Sequence, residues 1–371
     1  MDDKTVEIAR RLNNDFYRRN AAAFSASRKT PWLGWERCVR IVKDAKLDAS
    51  GTSFRNLQAG SCSGPQHNLS GELCHELPAD LRHRSQHKAS HSKARRGLSV
   101  FDLGCGNLRF EQFLSGALPE IALTFYAVDN CEELVDGGLA QAVGAPDLDA
   151  ARVHYQQLDI MECLCQDARL SELLTAPLCD LSVAFGFMHH IPRQAYRKQV
   201  LTSLIDQTRT GGLVVVSFWQ FLNNALLAKK AQQAHARAMK DLHLFPVHEP
   251  ARNDEAADLV VHRGERDAAA DLAAYKGTAR EGGGTTNSGE AADDDSKINN
   301  NIKVTWEAGD YLLGWDNIPG AYRYCHSFSQ VEIDWLSSSV AKKASVVARF
   351  KADGRSGDLN TYLILRVNRE T

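Results

Sequence analysis

The chain has 371 residues, and its 44 Lys and Arg against 46 Asp and Glu leave a formal charge of −2. That balance excludes a protein whose whole surface grips nucleic acid and leaves room for a local basic patch. No apolar run approaches the ~20 residues a membrane span needs, and MDDKTVEIARRLNNDFYRRN carries charge where a secretory signal would be apolar, so a cytoplasmic protein is expected. Nine cysteines, an odd number scattered from Cys38 to Cys325, form no disulfide framework and fit reduced thiols.

In chain order, Ile8, Leu12 and Phe16 recur at four-residue spacing, which predicts a helix. A second helical run follows Pro31 through Trp35, Cys38, Val39, Ile41 and Val42, making residues 1–48 a helical lid segment. Periodicity then vanishes over 49–97. Arg82 to Arg96 holds six Lys or Arg, three His and no acid, and is expected to be a disordered basic insertion. Cys62, His67, Cys74 and His75 are the nearest approach to a zinc set, but their spacing fits no usual ligand pattern, and no metal is expected.

Order resumes at Leu98. Strand-like runs begin at Leu98 (LSVFDLGCG) and follow at Leu123–Asp129, Arg152–Ile160, Cys179–Ile191 and Gly211–Trp219, with helix-length segments between them. Strands alternating with helices predict a parallel sheet covered on both faces, here a core spanning 98–248. An Ala/Lys/Gln helix follows Phe221. Residues 249–302, with EGGGTTNSGEAADDD inside, are expected to be a second disordered insertion. Residues 303–371 end in SVVARF and NTYLILRV, separated by KADGRSGDL, a turn signal for an antiparallel pair. The expected fold is one α/β domain with a doubly wound, mainly parallel seven-stranded sheet, an antiparallel C-terminal strand pair and two insertions.

The run Asp102-Leu103-Gly104-Cys105-Gly106-Asn107-Leu108 puts two glycines straight after a strand, where backbone can approach a ligand closely. A dinucleotide fingerprint would need a third glycine where Arg109 stands, and a Walker loop would need Gly-Lys-Ser/Thr. Asp102, just before the glycines, suits a cation better than a pyrophosphate. Asp129 ends the second strand, where a carboxylate can accept from ribose hydroxyls, and Asp159 ends the third, where it can meet an adenine amino group. Each acid alone could be a helix N-cap. Together around Gly-Cys-Gly they describe a pocket for S-adenosylmethionine.

The constellation resembles the class I S-adenosylmethionine-dependent methyltransferases, whose core is a Rossmann-like sheet. The resemblance implies that Asp102, Gly104, Cys105 and Gly106 face the methionine part and that Asp129 with Asn130 holds the ribose. It further implies that Asp159 and Ile160 border the adenine, with Phe185 completing the cofactor set. The stretch Gly186-Phe187-Met188-His189-His190-Ile191-Pro192 would pass beside the sulfonium, with His189 and His190 positioning and no base role assigned. One departure is Leu108, where many members have a third glycine.

Two flanking segments narrow the resemblance. Phe16-Tyr17, Phe24-Ser25, Arg28 and Pro31-Trp32 look like the segment preceding the core in the tRNA wobble-uridine carboxymethyl methyltransferases. Gly314-Trp315 and Arg323-Tyr324-Cys325-His326-Ser327-Phe328 look like that family's Pro-Trp and Arg-Tyr-Tyr-His-Leu/Val-Phe, with Gly314 for Pro and Cys325 for Tyr. This implies Arg28, Trp32, Trp315, Arg323, Tyr324 and His326 as substrate-binding residues, tRNA as partner, and for some members a small zinc-ribbon activator subunit. A guanidinium fork matches a carboxylate or phosphate, and an acceptor carboxylate, already ionised, needs alignment and no general base. The alternatives from the same fold are a small-molecule O- or N-methyltransferase and a non-catalytic scaffold, of which Leu108 would be the first sign.

Overall fold

The computed structural model describes residues 1–28, 30–48, 97–142, 152–247, 302–315 and 318–368. Most of both expected insertions, and the Cys62, His67, Cys74 and His75 group, lie outside these residues. Helix α1 (Asp3–Ser27) starts where the Asp2 carboxylate accepts from Thr5 N at 2.7 Å, a side-chain cap for an otherwise orphaned donor. Its buried face carries Val6, Ala9, Asn13 and Phe16, and helix α2 (Leu33–Asp48) buries Trp35, Cys38, Val39 and Val42.

The strands and helices that follow are β1 (Gly97–Leu103), α3 (Arg109–Ala117), β2 (Ala122–Asp129), α4 (Glu132–Ala142), β3 (Val153–Gln157), α5 (Ile160–Cys165), α6 (Leu170–Leu173), β4 (Cys179–Ala184), α7 (Gln194–Asp206) and β5 (Thr208–Trp219). Then come α8 (Ala225–Asp241), β6 (Leu244–Pro246), β7 (Ile302–Val304), β8 (Asp310–Gly314), β9 (Tyr322–His326), α9 (Gln330–Ser339), β10 (Ala344–Ala352) and β11 (Asn360–Val367). Seven strands form one sheet in the order β10-β11-β5-β4-β1-β2-β3. β1 to β5 run parallel, and β11 pairs antiparallel with both β5 and β10.

Both faces of this sheet are buried, and the residues of β5 show why. Val214 and Val216 enter one core with Leu204, Ile205 and Ile333, while Leu213 and Val215 enter the other with Trp35, Leu114 and Phe125. A two-residue period therefore delivers side chains to two layers of helices, each fully buried one worth about 1.5–3 kcal/mol. β1 lies between β2 and β4, so chain order reverses there. The crevice outside the carboxyl ends of such strands is where doubly wound sheets bind ligands.

Two boundaries differ from the sequence expectation. The third strand stops at Gln157 and the fourth at Ala184, because Asp159 caps α5 and Gly186 turns the chain with φ +66°. The segment 310–326 lies outside the main sheet as the β8–β9 hairpin, which packs on α8 and α1. Among the described residues no helix is long and apolar enough to cross a membrane.

Candidate active site

A cavity of about 650 Å³ opens at the carboxyl ends of β1, β2 and β4, with α1, the start of α2 and β9 as its roof. Its floor is the turn 104–108. Gly104 has φ +78°, and a Cβ there would stand 2.5 Å from the Phe187 ring, so only glycine fits. Leu108 also adopts a left-handed conformation (φ +55°), which costs a non-glycine residue about 1–2 kcal/mol. Its side chain is fully buried with Cys105, Ala127 and Val135, which supplies the compensation. From the other side, Gly138 of α4 lets the turn approach: a Cβ there would lie 2.3 Å from the Asn107 carbonyl oxygen. A Gly-Gly pair inside a helical segment was the signal for that contact.

Asp102 and Asp129 lie in or at the end of their strands, whereas Asp159 stands two residues beyond β3. Asp129, at the end of β2, accepts from Gly106 N at 2.9 Å and Cys131 N at 3.0 Å, so it also splints the turn. Burial raises its carboxyl above the usual range, against those backbone donors. Asp159 caps α5 by accepting from Glu162 N, and its other oxygen accepts from Arg10 Nη1 at 2.9 Å and Asn14 Nδ2 at 2.8 Å. It therefore ties α1 down over the cavity beside β2 and β3, where Asn130 donates to Asn14 Oδ1 at 2.7 Å. Asp102 is 2% exposed, lines the cavity, and has Oδ1 without a hydrogen-bond partner among the described residues. Cys105, Ile160 and Phe185 also line the cavity, Phe185 as the edge of an aromatic cluster with Trp35, Phe110 and Tyr362.

These residues fit an S-adenosyl group. A glycine turn open to backbone approach, a buried carboxylate with an unused oxygen and a strand-end acid suit its ammonium and ribose in turn.

At the other end of the cavity are Arg28, Trp32, Trp315 and Arg323, with Trp219, Phe24 and Tyr17. The Arg28 guanidinium lies over the Phe24 ring at 4.7 Å, and Arg323 over Phe16 at 4.9 Å. His190 makes a 3.0 Å bond between Nδ1 and the Tyr324 carbonyl, which can only accept, so Nδ1 carries the hydrogen. Its Nε2 then accepts from the Tyr17 hydroxyl at 2.7 Å. Burial, with the Arg323 cation, pushes His190 down to about 3, and burial pushes Tyr17 up to about 12. His189 lies well below the usual histidine value through burial and its neighbours His190 and Arg323, with Nδ1 unbonded among the described residues. Burial holds the Cys325 thiol up at about 11. His189, His190 and Cys325 bring donor atoms within 4.8 Å of one another, but both His190 nitrogens are committed and a guanidinium adjoins them. That arrangement repels a cation.

Tyr324 and His326 are corrected by the structure: neither lines the cavity. The Tyr324 hydroxyl donates to Asp310 Oδ1 at 2.6 Å, and His326 bonds Asp310 at 2.7 Å and Glu332 at 2.8 Å. Arg197, 1% exposed, completes this buried network with Glu332 at 2.7 Å and Asp310 at 3.4 Å. Their part is to hold β9, and with it Arg323, against the cavity. Asn13 does the same through the backbone, accepting from Tyr324 N at 2.8 Å. Sequence reading missed Arg197, Asp310, Asn13 and Tyr17's bond to His190, since these contacts join residues far apart in the chain.

No family model and no curated protein matches the chain. Solved structures to which it is similar include a SAM-dependent methyltransferase from Methanosarcina mazei, with 12% identity over 77% of this chain and 99% of that one and a TM-score of 0.43. Another is the N-methyltransferase NodS from Bradyrhizobium japonicum in complex with S-adenosyl-L-homocysteine (9% identity, 74% and 80% covered, TM-score 0.36). A third is an O-methyltransferase family protein from Burkholderia thailandensis (10% identity, 74% and 52% covered, TM-score 0.38).

Proposed function

We propose that this chain transfers a methyl group from S-adenosylmethionine to a carboxylate oxygen on a modified wobble uridine of tRNA. One observation carries the acceptor part. The end of the cavity away from Asp102, Asp129 and Asp159 offers Arg28, Arg323 and, over Trp32, Arg109. The Asp353 carboxylate there is taken up by Gly34 N, Asn360 and Tyr362, and the histidines, tyrosine and thiol are not set to take a proton near neutrality. His190 is held at about 3, His189 lies lower than an ordinary histidine, and Tyr17 and Cys325 titrate near 12 and 11. An amine or hydroxyl acceptor would call for a base there; a carboxylate already carries its charge.

When bound, the cofactor supplies an electrophilic methyl group. This chain's residues do the rest by placement. Asp102 meets the ammonium, and Asp129 accepts from the ribose. Arg28 and Arg323 hold the acceptor anion, and Trp32 and Trp315 offer faces for a base, worth about 1–3 kcal/mol per stacked base. α1, fastened by Arg10 to Asp159, keeps water from the reacting atoms. Outside the cavity, Arg11, Arg18 and Arg19 on α1 are exposed and pair with Glu7 or Asp15 of the same helix, partners that tRNA phosphates would replace. The family resemblance adds a small zinc-ribbon subunit as an activator and the cytoplasm as location.

The test is transfer of labelled methyl from S-adenosylmethionine into bulk tRNA compared with a metabolite extract, with and without such a subunit. A methyl ester on tRNA releases its label as methanol in mild alkali. Label confined to metabolites, or alkali-stable label on tRNA, overturns this acceptor.

A further inference from the structure

The cavity floor holds an arrangement that the cofactor reading leaves unexplained. Glu111, in the first turn of α3, is 0% exposed, and its buried carboxyl oxygens have no hydrogen-bond donor from another described residue, only its own backbone N–H nearby. Asp102, at the end of β1, is 2% exposed with Oδ1 in the same condition, and the two carboxyls stand within hydrogen-bonding reach of each other. Two ionised carboxylates are acceptors only, so that contact is a bond only when one of them carries a proton. The groups facing the pair are Asp129 at the end of β2 and the Cys105 thiol in the turn, an acid and a neutral group.

We infer that, without a bound ligand, Asp102 and Glu111 share one proton beneath the cavity floor, and that a ligand's ammonium displaces it, making Glu111, which does not itself line the cavity, a residue that selects for an ammonium-bearing amino-acid end. The inference rests on the S-adenosyl reading of the cavity. Burial, and then the neighbouring Glu111, raises Asp102 well above its ordinary range; burial, with the charge of Asp129, raises Glu111 to about 7 even though its bond to Asp102 pulls the other way. Titration belongs to the pair and not to either residue. Bringing an ammonium beside Asp102 stabilises the doubly ionised pair, and the proton leaves for the buffer. A neutral ligand cannot drive that step, so the pair stays bonded to itself beneath it. Binding is thereby biased toward ligands that carry the amino-acid ammonium and against truncated adenosyl compounds, most strongly where the pair is fully ionised.

The experiment is calorimetric titration of the intact protein with S-adenosylhomocysteine and with methylthioadenosine, which lacks the amino-acid part. Both are measured from pH 5.5 to 8 in two buffers of different ionisation enthalpy. S-adenosylhomocysteine is expected to release a proton below neutrality, with affinity rising by up to about tenfold per pH unit there and levelling above the pair's titration. Methylthioadenosine is expected to release none and to bind with flat pH dependence. Glu111→Gln is expected to abolish the release while binding methylthioadenosine as the parent does, and Glu111→Asp to restore part of it. Release absent from the parent protein, or undiminished in Glu111→Gln, overturns the inference. If Glu111→Gln fails to bind methylthioadenosine it has not folded, and the contrast between the two ligands on the parent protein decides alone. Failure of both ligands to bind would instead overturn the cofactor reading.

Discussion

The two ends of the cavity are built by different means. At the acidic end, Asp102, Gly104, Gly106 and Asp129 all lie where a strand stops, so the register of β1 against β2 places them. At the basic end, Tyr17, Arg28, Trp315 and Arg323 come from α1, the segment after it and the β8–β9 hairpin, none of which belongs to the main sheet. What aligns these pieces is buried polar chemistry: Asn13 and His190 on the Tyr324 backbone, and Arg197 between Asp310 and Glu332. An end fixed by sheet register is hard to change without unfolding the sheet. An end held by side-chain bonds can be retuned, which suits a fold that keeps one cofactor and changes acceptors.

The largest effect expected from breaking this contrast falls on the network. Arg197→Met removes the cation from between two buried carboxylates, and should cost about 3–5 kcal/mol in chemical denaturation. A loss below about 1 kcal/mol would show that the hairpin is held by packing alone. Next comes a crossover. Asp129→Ala should weaken S-adenosylhomocysteine binding by about 1.5–3 kcal/mol, since it loses both ligand bonds and the splint on Gly106. Arg323→Ala should lower kcat/KM for the acceptor by a similar amount and leave S-adenosylhomocysteine affinity within about twofold. Equal loss of both functions in both variants would erase the distinction between the two ends.

A smaller effect is expected at Leu108. Glycine there would relieve about 1–2 kcal/mol of left-handed strain but forfeit about 2–5 kcal/mol of buried side chain. Leu108→Gly should therefore be less stable, by a net of up to about 4 kcal/mol, and melt lower. A higher melting temperature would show that the leucine fills no needed space. A further effect concerns pH. His190 is near 6.5 in the unfolded chain and about 3 in the folded one. The native state thus resists protonation, so the neutral imidazole's contribution is full above pH 6.5 and is lost as pH falls toward 3. Measured denaturation should show that loss below pH 6.5, flattened in His190→Gln, while methyl transfer shows no inflection near 6.5 from this residue.

The sheet and the acidic end of the cavity were legible because their signals are local. Apolar runs that end in Asp-Leu-Gly-Cys-Gly or Val-Asp announce both the strand and what stands at its tip. Leu108 read as a departure, and the structure explains it: the side chain repays the backbone conformation by filling a small cluster around Val135. Glu111 was not legible, because a glutamate in a helix's first turn is ordinary dipole complement and nothing nearby in sequence says that it faces Asp102. Tyr324 and His326 travelled with Arg323 in a motif, and a motif tells which residues occur together without telling which side of a wall each occupies.

β9 has a consequence for how acceptor choice can change. Two of its even-numbered side chains, Tyr324 and His326, face the anchoring network, while Arg323, just before Tyr324, faces the cavity. Because strand side chains alternate, a slip of one residue in the Asp310 to His326 pairing would turn the anchors outward and drive the guanidinium into their place. Substitution at odd positions of this strand is thus open to selection, whereas insertion or deletion within it is closed, and new specificities on this scaffold should arise by exchange of residues at constant strand length.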